Sequence, residues 1–383
     1  RKKKKSSKLR ILFRCLLILF VVVLFVGIVS KGTFSLKSVS NWFQSAILGN
    51  TTGEGFPVPI NGTTVDYKNF SSQDGNPVVL SDTSFTILNP SGGVVTNQQH
   101  GYGSPTLEQA KNRYLIYDLS GKEYKLLDNG GLLYEGKISN KILAGAVSDS
   151  GSYAIASDST GYASEMTVYS KEYGKDNSQI FKWSSPTYRI TALALNSDGT
   201  QAAAAGISAM SGTLKSAVYV FDLSQESPLA VVEYSDNLIL SLSFADNGNI
   251  LAVGDRQASV ISPSGSSEDY SYGKNKLHAY DSDPSQGIAL LLSPYEDGGD
   301  CILIGLNPSG KTVTDIAVGG KAISVDAGQQ TYLVLTDTRA SYRDISGKEL
   351  FASGSSGDSV TGVLGRQCAY ILGISEIRKL DFS

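Results

Sequence analysis

Two kinds of tight turn recur along most of this chain, and their alternation leaves few folds open to it. The first kind follows an alternating apolar run: Gln73-Asp74-Gly75, Ser148-Asp149-Ser150-Gly151, Asn196-Ser197-Asp198-Gly199 and Ala245-Asp246-Asn247-Gly248. Asp-Gly and Asn-Gly supply the positive-φ residues that tight hairpins require. The second kind is Asn89-Pro90-Ser91-Gly92, Asp222-Leu223-Ser224-Gln225, Ser262-Pro263-Ser264-Gly265, Asn307-Pro308-Ser309-Gly310 and Asp344-Ile345-Ser346-Gly347. Two hairpin turns per period predict a four-stranded antiparallel meander. The best-formed unit opens at Arg189 with Ile190 to Leu195 as an inner strand and closes with Leu229 to Tyr234.

Matching starts fall near Thr64, Pro105, Lys141, Arg189, Leu238, Lys276, Lys321 and Ser359, in steps of 41, 36, 48, 49, 38, 45 and 38 residues. That is the spacing of β-propeller blades. A pair of β-sandwiches would need no such period. Small residues crowd the first strands, as in Ala144-Gly145-Ala146 and Ala192-Leu193-Ala194, where blades converge on an axis. The last unit has room for only three strands, and a propeller closes when a strand from the other terminus completes the final blade. Gly55 to Ile60 is the candidate, with Phe56, Val58 and Ile60 on one face and two prolines suited to an outer edge. The expectation is an all-β fold of eight four-stranded blades over residues 55–383. Seven blades is the alternative, if Ser359 to Ser383 merely extends its predecessor.

The N-terminal part is of another kind. Residues 1–14 hold eight basic groups and no acid, leaving 25 basic against 36 acidic groups in the rest, a net of about −11 there. An acidic body of that kind is a poor nucleic-acid binder. From Ile11 to Ser30 the chain is apolar for about 20 residues, enough to cross a bilayer as a helix. The anchor runs from Arg10 and Ile11 through Arg14 and Leu24 to Ser30, and Arg14 lies where its side chain can snorkel to the headgroups. A cleaved signal peptide fits less well, because Phe25 to Ser30 is a poor cleavage site. The positive-inside rule then puts residues 1–10 in the cytoplasm as a polybasic tail and everything after the span outside the cell membrane. Residues 31–54 read as a linker in which Val39, Trp42, Phe43, Ala46 and Ile47 share one helix face. That face can pack on the protein itself or lie at the membrane interface.

The polybasic start, the single span, Gly55-Phe56-Pro57-Val58 and Arg113-Tyr114-Leu115-Ile116-Tyr117-Asp118 together resemble the membrane-anchored bacterial propellers grouped as domain of unknown function 5711. The resemblance implies an envelope or cell-surface protein of a Gram-positive-type bacterium and carries no activity. The Gly-His and Trp-Asp pairs of eukaryotic WD repeats are absent.

Chemistry is sparse. Two histidines, His100 and His278, with Cys301 and Cys368 do not make a zinc cluster at these spacings. Both cysteines are expected as buried free thiols. Asp281-Ser282-Asp283 and Glu296-Asp297-Gly298-Gly299-Asp300 do not match the twelve-residue calcium loop and read as solvated turns. No nucleophile elbow opens a helix, and Gly354-Ser355-Ser356-Gly357 lacks what a phosphate loop needs. No cofactor is expected. Most of the 20 tyrosines occupy alternating strand positions, such as Tyr153, Tyr219 and Tyr332, and fill space between blades. Tyr102, Tyr162, Tyr188, Tyr270, Tyr272 and Tyr295 fall in loops or at blade edges and are the candidates for an exposed binding surface. Two functions follow: a noncatalytic module that binds envelope proteins, or an envelope enzyme or lectin acting on a glycan through channel acids or aromatic faces.

Overall fold

The computed structural model describes residues 53–175, 178–209 and 212–382. The expected membrane span, the polybasic tail and most of the linker lie outside the described residues. Eight four-stranded antiparallel sheets are present, and each of seven follows chain order from first strand to fourth. Their first strands are Val65–Gln73, Pro105–Ala110, Ile142–Val147, Arg189–Leu195, Ile239–Phe244, Lys276–Asp283 and Ala322–Gly328. Ser359–Leu364 opens the eighth. Every one begins within one residue of its expected start, and the seven-blade alternative is excluded because Ser359–Leu364 belongs to a sheet of its own. The turn glycines behave as the sequence requires, with Gly75, Gly199, Gly248, Gly265 and Gly310 all at φ between 70 and 88°.

Apolar residues gather into eight clusters, and each joins one blade to the next. Between blades 3 and 4, for instance, Met166, Val168 and Phe181 meet Ile190, Leu193 and Phe221. The narrow residues are required where blades approach. A Cβ on Gly145 would come within 2.8 Å of both Leu115 and Tyr117 of the preceding blade. The second strand of blade 4, with Ala202 to Ala205 all fully buried, is as crowded as any first strand.

The first strands share a further feature. In six of them, one extra residue is inserted against the partner strand near the start, as between Ile142 and Ala144 or between Leu277 and Ala279. Such bulges increase the local twist and re-aim the strand. Blade 2 has none. Blade 1 has a larger one: Val65 faces Ser81 and Phe70 faces Val79, so five steps on one strand oppose two on the other.

The ring closes on the segment expected to close it. Strand β1, Val58–Pro59, pairs with Ile377 and Glu376 and becomes the outer strand of blade 8. The ladder is shorter than the six residues expected, because Pro57 and Pro59 have no N–H to give. The donors that remain are used: Gly55 N–H bonds to Ser91 O at 3.1 Å and Ile60 N–H to Ser375 O at 3.0 Å. Phe56, Val58 and Ile60 pack on the blade 8 to blade 1 cluster around Tyr370 and Leu372, while Pro57 and Pro59 are exposed. Away from this segment, Arg366 Nε donates to Asp74 O at 3.0 Å and the Tyr370 hydroxyl to Gly75 O at 2.9 Å.

Three half-buried apolar side chains, at about half the roughly 1.5–3 kcal/mol of full burial each, make the segment worth about 3 kcal/mol. Chains beginning at Gly62 should therefore melt roughly 4 °C below chains beginning at Gly53. Equal midpoints by calorimetry would make residues 53–61 a mere linker.

Candidate functional site

In a meander, the turns after the first and third strands lie at one end, while the turn after the second strand and the link to the next blade lie at the other. The two faces of the ring therefore have different compositions. One carries the Asp, Asn, Ser and Gly turns. The other carries the links between blades and those between second and third strands, among them 158–163 and 294–301. We call these the turn face and the loop face.

On the loop face, carboxylates repeatedly hold the links between blades. Asp82 Oδ1 accepts the Thr63 N–H at 2.8 Å, Asp118 Oδ1 that of Ser104 at 2.9 Å, and Asp337 Oδ1 that of Lys321 at 2.9 Å. Asp255 does the same for Leu238 at 2.6 Å. The Thr63 hydroxyl and N–H hold the Asp82 carboxyl below its ordinary range. Four ion pairs lie on this face: Arg189 with Asp158 at 2.6 Å, Lys276 with Glu296 at 3.2 Å, Arg378 with Asp358 at 2.8 Å, and Arg256 with Asp236. Apolar side chains stand uncovered between them. Leu119, Tyr162, Leu214, Tyr295 and Ile374 all lie in links between second and third strands, with Tyr295 at 55% and Ile374 at 68% exposure.

The axial channel opens through this face. The blade 1 insertion carries Tyr67 and Lys68 into it, and the Lys68 ammonium lies 5.7 Å from the Tyr67 ring centre and 5.9 Å from that of Tyr280 in blade 6. Glu108 of blade 2 shares this space. Loss of water pushes its carboxyl up to about 8, with the Lys68 charge and the Tyr117 hydroxyl pulling the other way. Below these groups, Asp281 Oδ2 accepts the Ala327 N–H at 2.8 Å and Asp326 Oδ2 accepts the Leu364 N–H at 2.8 Å. Burial holds both carboxyls above their usual range, and Asp281 raises Asp326 further. Asp281-Ser282-Asp283 is thus no solvated turn. It is the end of an inner strand, and its buried acid anchors the next blade's backbone.

The six tyrosine candidates divide. Tyr162 and Tyr295 are exposed on the loop face, and Tyr270 is half-buried on an outer strand. Tyr102, Tyr188 and Tyr272 are buried, which removes them from any exposed surface. The Tyr188 hydroxyl donates to Glu233 at 2.9 Å and that of Tyr272 to Gly254 O at 3.0 Å, while Tyr102 stacks on His100 at 4.9 Å. Each lies in a link between blades, where a large ring caps the cluster beneath. Cys301 and Cys368 are free and buried, as expected. Lys68, Glu108 and Asp326 were not singled out from sequence, because nothing local distinguishes them from the other charges of the chain.

A sequence profile described as a family of unknown function (DUF5711) matches residues 59–372. A search of curated protein sequences finds no match. Among solved structures, BamB from Moraxella catarrhalis superposes with a TM-score of 0.52 at 12% identity, covering 85% of this chain and 100% of that one. Chaetomium thermophilum Sqt1 bound to the N-terminus of the ribosomal protein L10 gives 0.55 at 12% identity, over 84% and 99%. Saccharomyces cerevisiae Sqt1 gives 0.55 at 10%, over 86% and 100%. At these identities the likeness is one of fold.

The channel acids make stability depend on pH. Glu108 titrates near 8 when folded and near 4.5 in its ordinary state, so between those values the folded protein holds the extra proton and stability falls as pH rises. Asp281, also raised, acts in the same direction. Asp82 and Asp358, held low, titrate beneath this window. The melting temperature should be lower at pH 8 than at pH 5, and Glu108→Gln should flatten that difference by raising the value at pH 8. His100, held below its ordinary range by burial, acts the other way at the acid end of the window, so the variant decides: a Glu108→Gln melting temperature at pH 8 no higher than that of the wild type would contradict the assignment.

Proposed function

Since this chain belongs to the DUF5711 family of unknown function, we propose that it is a membrane-anchored, extracytoplasmic propeller that binds a protein of the cell envelope and performs no chemistry on it. The observation that carries the reading is the division of labour on the loop face. Asp82, Asp118, Asp255 and Asp337 are committed to backbone N–H groups and Asp158 to an ion pair, while Tyr162, Tyr295 and Ile374 remain exposed. Groups already satisfied in the fold are poor acids, bases and nucleophiles, whereas uncovered aromatic and aliphatic side chains are what protein interfaces bury. A propeller of similar fold, Chaetomium thermophilum Sqt1, has been crystallised bound to the N-terminus of another protein. Residues 11–30 supply the anchor, and the basic tail before them sets its direction.

One observation favours a second reading. Glu108 beside Lys68, Tyr67 and Tyr280 puts a carboxyl of raised pKa near an exposed aromatic ring, a combination suited to a glycan. It ranks second because the other channel acids, Asp281 and Asp326, are spent on backbone contacts.

Two measurements test the proposal. Protease added to wall-stripped cells should remove the propeller while sparing a cytoplasmic control; a protected propeller would reverse the topology. Full-length protein purified in detergent after mild crosslinking should retain one envelope protein in comparable amount. Should it come away alone, with a glycan-cleaving activity that Glu108→Gln abolishes, the second reading replaces the first.

A further inference from the structure

The inner strand of blade 1 carries a larger insertion than any other inner strand among the described residues, since five steps from Val65 to Phe70 oppose two on its partner. Within it Asn69 makes the ties to blade 2, while Tyr67 and Lys68 stay exposed at the channel mouth. The Lys68 ammonium stands 5.7 Å from the Tyr67 ring centre and 5.9 Å from that of Tyr280, across the axis in blade 6. Among the described residues it has no ion-pair partner. The acid closest to it in the chain, Asp66, turns its Oδ1 to the Lys68 backbone N–H at 2.9 Å. The surrounding protein, by displacing water, works against the charge of Lys68, and the Tyr280 and Tyr67 phenols outweigh it, so the pKa lies above the ordinary lysine value.

Glu108 does not neutralise this cation. The titratable groups that face its carboxyl are Lys68 and Tyr280 across the channel and Tyr117 beside it. Loss of water keeps it protonated up to about pH 8, so at pH 7 it is an uncharged acid that donates one hydrogen bond and accepts others. Unlike Asp281 and Asp326, it holds no neighbour's backbone. The mouth of the channel thus presents one uncompensated positive charge, a neutral carboxyl, the Tyr280 hydroxyl and the Tyr67 ring, 54% exposed. One cation matches a monoanion. A phosphate dianion would bring a second negative charge into a channel that already holds Asp281 and Asp326.

We infer that the channel mouth is a binding site for a sugar acid, with its carboxylate on the Lys68 ammonium, its ring against Tyr67 and its hydroxyls toward Glu108 and Tyr280. This rests on the glycan reading of the site given above, adds to it the charge of the sugar, and requires no bond to be cleaved. A carboxylate on an ammonium makes charge-assisted hydrogen bonds, stronger than those between neutral groups. The tyrosine ring offers a flat apolar face to the C–H side of a sugar and a hydroxyl at its edge. An acidic side chain of a protein would satisfy Lys68 but leave the Glu108 carboxyl and the Tyr280 hydroxyl unmatched, whereas the hydroxyls of a sugar acid meet both.

The test titrates the full chain, purified in detergent, with glucuronate and galacturonate, with glucose and galactose as their neutral counterparts, and with inorganic phosphate and N-acetylglutamate amide, reading binding by saturation-transfer NMR. At least one sugar acid should bind about tenfold or more tightly than its neutral counterpart. Lys68→Met should remove that difference and leave the neutral sugar as it was, while Tyr67→Ala should weaken both, with the melting temperature unchanged in each variant. Because Glu108 loses its proton near pH 8, affinity for the sugar acid should fall between pH 7 and pH 9 in the wild type and hold in Glu108→Gln. Neutral sugars bound as tightly as their acids, or a Lys68→Met variant that keeps the difference, would overturn the sugar acid and leave the glycan reading intact. Phosphate or N-acetylglutamate amide bound more tightly than either sugar acid would overturn it in favour of a dianion or an acidic peptide. No binding of any sugar would overturn both this inference and the glycan reading, and would leave the protein-binding proposal standing.

Discussion

Everything in this protein depends on burying the faces between neighbouring blades. A four-stranded meander alone exposes two apolar faces, and neither its turns nor its backbone ladder can offset that. Eight such sheets arranged in a ring leave no face uncovered, provided the last meets the first. The eight clusters are the outcome, one at each interface. Seven of the eight interfaces join blades that follow one another in sequence. The eighth joins residues about 290 positions apart, through contacts such as Tyr370 with Gly75 and Arg366 with Asp74. Loop closure over such a distance is entropically costly but grows only logarithmically with length. The closing strand is accordingly modest: two ladder residues, three apolar side chains and two exposed prolines.

The buried acids of the channel follow from the same geometry. An inner strand has a sheet neighbour on one side only, so alternate backbone groups along its axial edge are left without ladder partners. Those groups lie close to the axis, where they must find an acceptor. Asp281 and Asp326 supply one for Ala327 and Leu364, and the Ser324 hydroxyl accepts the Gly362 N–H at 3.1 Å. In blade 1 the neutral Asn69 does both tasks, accepting the Leu107 N–H at 3.0 Å and donating to Pro105 O at 2.8 Å. A cluster of carboxylates that would look catalytic from composition alone is thus a set of ties from one inner strand to the next. Glu108 is the exception, since its nearest companions are the side chains of Lys68 and Tyr117 rather than a neighbour's backbone.

How far the sequence could be read depended on whether a signal was local. The turns are local: Asp74-Gly75 or Ser309-Gly310 must adopt positive φ whatever surrounds them, so the blade boundaries were legible to within a residue. The alternation Phe56, Val58, Ile60 was equally plain. Exposure of the tyrosines was not, because a link between blades reads as a loop yet crosses the top of an apolar cluster. Tyr102, Tyr188 and Tyr272 are buried for that reason, whereas Tyr162 and Tyr295 lie in loops that turn outward. The aspartates that hold the links, Asp82, Asp118, Asp255 and Asp337, recur after the second strand. Their spacing from the N–H they accept varies from 14 residues for Asp118 to 19 for Asp82. A fixed-offset search passes over them. The position of Lys68 was beyond reach altogether, since a threefold insertion in one strand cannot be told from a longer strand without knowing its partner's register.

That insertion also shapes what the loop face can be. By carrying Lys68 across to Tyr280, it ties blade 1 to blade 6 over the axis. Tyr67, 54% exposed, then stands at the centre of a face whose other uncovered side chains ring it. A face supported by eight packed interfaces loses little conformational freedom when a partner settles on it, so most of the apolar area it buries contributes directly to affinity. An enzyme has the opposite need, a recess in which a substrate is surrounded and water excluded.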